Sequence, residues 1–451
     1  MADKNSIDLT QGPISGHILR MLGPFALAIV ALLSVRIVDT IYLGRIGVDA
    51  LAAMGFCLPI VFLGNSANIG LGAGTMSAVS RAIGQKDGEK AKRHAAAAIL
   101  MAITVMVVLS SLLLLSMPLV LQKMGAEPHI AELARSYMLF ALPGLTIVSI
   151  AMMCNNILRA SGEAALPSSI MILGAVLNII IDPFLIFGIG PFPRMEVPGA
   201  ALASLIANSI AACFGLWVVL FYRKAVHFRD ITLGSIGRAW RVIGRVGIPA
   251  ALTNIVVPVG MVLVTSIIAY RVGTIGVATF NVVMSAEIIA VALLYALSAC
   301  IGAVTGQNGG ARQTDRVREA FIFCYKICVG WAIFMSIVML AIRIPILSAF
   351  TKDQMVIEMA NSYFYWVPIT IMFYGFVFVT AAGFNALGRP SYGLIFTIIR
   401  SIILYVPLIG IGVYLWEMNG AFIGIAAANL FSGMIAIFWA LKKAPMTART
   451  S

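Results

Sequence analysis

Apolar runs of about 20 residues recur along the whole chain, separated by short stretches that carry most of the charge. Each run is long enough to cross a hydrocarbon core of roughly 30 Å as a helix. The runs are apolar on every side and rich in Leu, Ala, Met and Gly, without the in/out alternation over about ten residues that a membrane barrel needs. The pattern predicts twelve spans, at 16–43, 51–78, 94–121, 132–158, 166–188, 197–222, 242–270, 275–302, 320–345, 357–385, 391–416 and 420–441. The expected fold class is an all-α membrane protein.

Composition supports this reading. Of 451 residues, 61% are hydrophobic and only 11% charged, which excludes an ordinary water-soluble domain. Residues 1–17 are polar and no small-residue cleavage motif follows, so the first span is expected to be retained. The net charge of +13 would suit a nucleic-acid partner. Its distribution argues otherwise, because about 21 Lys and Arg fall in the loops on the side of the termini, about 7 on the other side and about 3 within spans. The basic loops Arg81 to Arg93, Arg223 to Arg245, Arg312 to Arg318 and Lys442 to Arg449 are therefore read as cytoplasmic, with both termini. Cys57, Cys154, Cys213, Cys300, Cys324 and Cys328 lie in apolar runs as packing thiols. His17, His94, His129 and His227 lack metal-ligand spacing, so neither a metal nor an organic cofactor is expected.

The chain also repeats itself at an offset of about 225 residues. Arg20-Met-Leu-Gly-Pro24 matches Arg245-Val-Gly-Ile-Pro249, Ser80-Arg-Ala-Ile-Gly84-Gln85 matches Ala303-Val-Thr-Gly-Gln307, Gly199 matches Gly420, and Asn208 matches Asn429. Residues 1–222 and 242–451 are expected to form two six-helix lobes joined by a cytoplasmic linker at 223–241. An even number of spans per lobe gives both the same orientation, related by a pseudo-two-fold axis along the membrane normal.

Several motifs resemble the multidrug and toxic compound extrusion (MATE) family. They are Val38-Asp39-Thr40-Ile-Tyr-Leu-Gly44 with Ala50-Leu-Ala-Ala53, Gly70-Leu-Gly-Ala-Gly74 with Gly84-Gln85, Gly306-Gln307-Asn308, Arg159-Ala-Ser-Gly162 and Asn385-Ala-Leu-Gly388-Arg389-Pro390. Asn178-Ile-Ile-Ile-Asp182-Pro183 is similar to the fifth span of the DinF-type branch. The resemblance implies a monomeric exporter of drug-like organic compounds in the lipid of a bacterial inner membrane, driven by a proton or sodium gradient. It also implies that Asp39, Asn178 and Asp182 form a cation or proton site in the first lobe, with Tyr137 and Ser204 as neighbours.

The residues give independent reasons for interest in that site. A carboxyl within a span costs about 2.5–3.5 kcal/mol on insertion scales and marks function by default. Asp39 and Asp182 are expected near the outer ends of spans 1 and 5. Asn178 precedes Asp182 by four positions and shares its face. Desolvation and mutual repulsion favour retention of a proton, whereas two ionised carboxylates with an amide oxygen suit a hard cation such as sodium. Arg36, one turn before Asp39, offers the alternative of a local ion pair. The repeat places Thr265 opposite Asp39, and Arg400 and Leu404 opposite Asn178 and Asp182, so the second lobe lacks an acid pair. Glu287 and Arg400 form its candidate polar pair.

Pro24 lies inside span 1, where the missing backbone donor permits a bend, and Pro249 repeats it in span 7. Binding of a cation at Asp39 or Asp182 is expected to change the bend of span 1. With 23 Met and 24 Phe available, a broad apolar cavity is expected to take cationic or amphipathic aromatic compounds. Two other functions were weighed: a lipid-linked-intermediate flippase, which would want basic residues for a diphosphate, and an intramembrane aspartyl protease built on Asp39 and Asp182, for which no GxGD-type setting exists.

Overall fold

The computed structural model describes residues 8–46, 48–124, 127–228 and 232–450, and among these every regular element is helical. The first half contains α1 (Ile14–Ile46), α2 (Val48–Gly84), α3 (Gly88–Lys123), α4 (Pro128–Ala160), α5 (Ala165–Phe187) and α6 (Glu196–Trp217), the last continuing through π-helical turns at Val218–Tyr222. The second half begins with α7 (Leu233–Val272), α8 (Thr274–Gly310) and α9 (Thr314–Ala341). Short α10 (Arg343–Phe350) follows, then α11 (Gln354–Asn361), α12 (Tyr363–Trp366), a 3₁₀ turn at Pro368–Thr370 and α13 (Ile371–Ala386). The chain ends with α14 (Pro390–Ile398), a π-helical segment at Ile399–Leu404 and α15 (Tyr405–Thr450).

Eleven helical runs among the described residues are long and apolar enough to cross a membrane. The last, Pro390–Ala444, spans 55 residues and breaks at Trp416 and Glu417, where φ is −139° and +50°. The break divides it into two spans and yields the expected twelve. Two boundaries differ from the expected ones. Span 9 stops at Ala341 and a separate short helix covers 343–350, while span 10 is assembled from four short pieces rather than one helix. Pro368 explains part of the second difference, because its ring cannot donate to the preceding turn.

Two compact units emerge, and each takes the start of one long helix from the other half of the sequence. Gly23–Ala251 forms the body of the first unit, whereas Leu9–Leu22 groups with Leu252–Ser451 in the second. The change of unit thus falls beside Pro24 in α1 and beside Pro249 in α7, rather than within the 223–241 linker.

The repeated loop motifs seat these helix starts. In the first unit, a Cβ on Gly70 or Gly74 would strike the carbonyl oxygens of Gly247 and Ile243, so only glycine lets α7 lie against α2. Trp240 Nε1 adds a hydrogen bond to the Ala97 carbonyl at 2.9 Å. In the second unit, Leu9 N donates to Gln307 Oε1 at 3.0 Å and Asn308 Nδ2 donates to the Leu9 carbonyl at 3.1 Å. Arg316 completes the seat, donating to Asn308 Oδ1 at 2.8 Å and to the carbonyls of Gly12 and Leu9 at 2.8 and 3.0 Å.

Within the first unit, α4 packs on α2, α3 and α6, and α5 packs on α6. Met106, Met138, Leu142 and Cys57 form one buried cluster there. Within the second, α13 packs on α8, α9 and α15. Large apolar side chains such as Leu115, 80% exposed, remain on the outer surface, as lipid contact requires.

Glycine also closes matching hairpins. A Cβ on Gly199 would approach the Leu185 carbonyl oxygen to 2.6 Å, while Gly412 and Gly420, on either side of the Trp416–Glu417 break, each occupy the space that the other's Cβ would need. Gly412→Ala is expected to destabilise the folded protein by about 1–3 kcal/mol through overpacking. Gly330→Ala, where nothing lies within 4 Å, should be neutral or stabilising by up to about 1 kcal/mol. Thermal unfolding of the two purified variants in detergent checks this ordering.

Candidate functional site

The first-unit acids meet where α5 faces α6. Asp182 is 1% exposed and Asn178 4%, and the four-residue spacing on α5 aligns them on one side of the helix. Pro183 lies directly after Asp182, so the α5 backbone lacks one donor at this level and the Ile179 carbonyl loses its helical partner. Gly188, at φ +71°, then caps the helix in the left-handed conformation.

Asn178 joins two helices. Its Nδ2 donates to Asp182 Oδ1 at 3.4 Å and to Ser204 Oγ on α6 at 3.0 Å. Asn208 Nδ2 in turn donates to the Ser204 carbonyl at 2.7 Å, tying the serine's backbone to the next turn. The Asp182 carboxyl also lies within electrostatic reach of that of Asp39 from α1. Asn178 Oδ1 and Asp182 Oδ2 are buried without a donor among the described residues. The structure therefore brings together Asp39, Asn178, Asp182 and Ser204. Tyr137, on α4, stands within the electrostatic reach of both carboxyls and packs beside Ile186, Val197 and Ala200, without donating a hydrogen bond to the group. The side chain of Arg36 lies outside the described residues.

This arrangement has specific chemical capacities. Two carboxyls held near one another in a buried place favour retention of one proton between them. Loss of that proton would leave two like charges in a poorly hydrated place, unless a cation replaced it. The buried acceptors without a donor form an oxygen-only set, which fits a proton or a hard monovalent cation and not a soft transition metal. No group of three or more His, Cys, Asp or Glu side chains with metal-holding geometry occurs among the described residues.

The second unit builds a different polar cluster at the matching depth of the repeat. Arg400 is 7% exposed and lies on the π-helical segment Ile399–Leu404. Its Nη2 donates to Asn429 Oδ1 at 3.1 Å, and Asn429 Nδ2 donates to Thr370 Oγ1 at 3.3 Å. The guanidinium carbon sits 3.6 Å from the centroid of the Tyr374 ring and 5.4 Å from that of Tyr405. Glu287 acts on Arg400 through space, but its Oε2 accepts from the Tyr363 hydroxyl at 2.8 Å. The expected Glu287–Arg400 pair is thus two neighbouring hydrogen-bonded groups instead of a direct ion pair, because Tyr363 and Asn429 satisfy the two partners separately.

Tyr363, Tyr374, Thr370 and Asn429 were not singled out as site residues. Asn429 was visible as the repeat partner of Asn208, and this was the available signal. The tyrosines look like ordinary aromatic residues of a span until the broken helix around Pro368 aims them inward.

Comparison with known proteins places the chain. The profile of the MatE family matches residues 24–184 and again 249–410, the two copies that the internal repeat implies. The FAD transporter of Shewanella oneidensis is 28% identical over 437 residues, covering 97% of this chain and 96% of that protein. A probable multidrug resistance protein NorM of Thermotoga maritima is 25% identical over 416 residues, covering 89% and 87%. A crystal structure of the Vibrio cholerae MATE transporter VcmN superposes with a TM-score of 0.90 at 25% identity, covering 96% of this chain and 97% of that one. Twelve spans in two similar halves, matched twice by one profile over most of their length, make this chain a member of the MatE family of membrane transporters.

Proposed function

We propose that the protein is a secondary active exporter of organic solutes, driven by protons that occupy the Asp39–Asp182 carboxyl pair. The observation that carries this reading is a second carboxyl, that of Asp39, set beside the buried Asp182, an arrangement that favours retention of a proton. In the same reading, Asn178 and Ser204 position Asp182, and Tyr137 shields the pair from water. Sodium is the second candidate ion, since the same oxygens would accept it after deprotonation.

Release of the shared proton forces the two acids apart or demands a cationic replacement. Asp39 rides on α1, the helix that changes compact unit beside Pro24, so carboxyl separation would act on the helix best placed to bend. This links ion occupancy to an alternating-access cycle. The basic loops at 81–93, 223–245 and 312–318 support cytoplasmic termini in a bacterial inner membrane. A monomer surrounded by lipid suffices for the cycle.

For the substrate, cationic or amphipathic aromatic compounds suit an acidic first-lobe site and agree with the name of the NorM relative. A flavin nucleotide is the second reading, favoured by the 28% identity to the FAD transporter over 97% of the chain.

Asp39→Asn is expected to abolish dye export from proteoliposomes energised by a pH gradient in sodium-free buffer, with expression and folding retained. Unchanged export would contradict the proposal. Ser204→Ala removes an acceptor worth about 1 kcal/mol, so export at a limiting gradient should fall roughly fivefold. Ser204→Thr, which keeps a hydroxyl, should export at the wild-type rate in the same assay.

A further inference from the structure

Arg400 does not behave as a satisfied structural cation. A guanidinium inside a span is costly, and such residues normally pair with a carboxylate or with backbone carbonyls. Here a single acceptor, Asn429 Oδ1, meets one of the five N–H groups. Nε is buried without a partner. Tyr374 and Tyr405 attract the charge through their ring faces but accept nothing along its donor edge. Glu287, the acid within electrostatic reach, is engaged with Tyr363. The π-helical backbone that presents Arg400 is a rare conformation, frequent at functional sites.

The surroundings extend this edge into a surface that fits a ring system. Tyr374 meets Phe378 edge-to-face at 4.9 Å, and Phe378 meets Tyr295 in the same way at 5.0 Å. Tyr295 is 47% exposed, so the aromatic row is reachable at one end and terminates on the guanidinium at the other.

We infer that Arg400, Asn429 and the Tyr374–Phe378–Tyr295 row form a binding site in the second lobe for an aromatic compound bearing a phosphate, with the phosphate on the guanidinium edge. The planar donor edge matches a phosphate oxygen pair, and the ring faces match a nucleobase or flavin. Glu287 balances the arginine charge before binding and opposes an anion afterwards, so it sets the affinity from the unfavourable side. The inference rests on the exporter reading and specifies its flavin-nucleotide branch.

Binding of FAD, FMN and riboflavin to the purified full-length protein in detergent, followed by flavin fluorescence, tests this site. Riboflavin shares the ring and lacks the phosphate. The wild type is expected to bind FAD and FMN at least about tenfold more tightly than riboflavin, the effect of one charge-assisted bidentate contact. Arg400→Gln should remove that preference without weakening riboflavin, Arg400→Lys should lose most of it, and Glu287→Gln should tighten FAD a few-fold. A wild type that does not prefer the phosphorylated flavins overturns the inference, as does an Arg400→Gln protein that keeps the preference. Should Arg400→Gln fail to fold, an unchanged preference in both Arg400→Lys and Glu287→Gln overturns it equally. Asp182→Asn should keep the phosphate preference while losing pH-driven export, which separates failure of this site from failure of the coupling mechanism.

Discussion

A carboxylate has no low-energy place in hydrocarbon, and the first lobe is organised around two of them. Asp182 is almost fully enclosed, with Asn178 and Ser204 on one side and the Asp39 carboxyl on the other. The proximity of the acids is tolerable only while a proton or another cation keeps the pair from carrying two charges. In the proposed mechanism that condition makes the site respond to ion occupancy. Among the described residues, the side chains hydrogen-bonded around Asp182 are small polar groups rather than arginine or lysine, whose permanent charge would remove the need for an exchangeable cation.

The second lobe answers the same problem with the opposite sign. Where the repeat places Asn178 in the first lobe it places Arg400 in the second, and the polar residue that reaches across is Asn429 on α15 in place of Ser204 on α6. Each lobe thus has a polar bridge between its last two spans. One bridge positions an acid, and the other positions a base against tyrosine rings. Duplication supplied the frame, and divergence at a few buried positions separated ion handling from the recognition proposed for Arg400.

Much of this was legible in the sequence because hydrophobic spans and buried charge are strong signals. The run lengths placed twelve spans, and membership of one duplicated family agrees with the repeat read from pairs such as Gly199 and Gly420. The resemblance groups Asp39, Asn178, Asp182, Tyr137 and Ser204; in the structure Asn178 hydrogen-bonds Asp182 and Ser204, and Asp39 and Tyr137 lie within electrostatic reach of Asp182. Other features were hidden for physical reasons. The fragmentation of span 10 depends on Pro368 and on packing that no periodicity reveals. The exchange of helix starts between the units depends on Gly70, Gly74, Gln307, Asn308 and Arg316, whose motifs were visible while their role as seats was not. The separate partners of Glu287 and Arg400 required three-dimensional distances, since opposite charges on one sequence pattern suggest a simple pair.

In the proposed mechanism a proton resides between Asp39 and Asp182 and leaves when its site is reorganised. Difference infrared spectroscopy of the carboxyl C=O stretch, recorded on reconstituted protein titrated through neutral pH without sodium, measures that proton directly. A protonated-carboxyl band that persists near neutral pH, disappears on alkalinisation and is absent from Asp182→Asn is the expected result. Carboxyls that are already ionised well below neutral pH, or a band unchanged in Asp182→Asn, would contradict it.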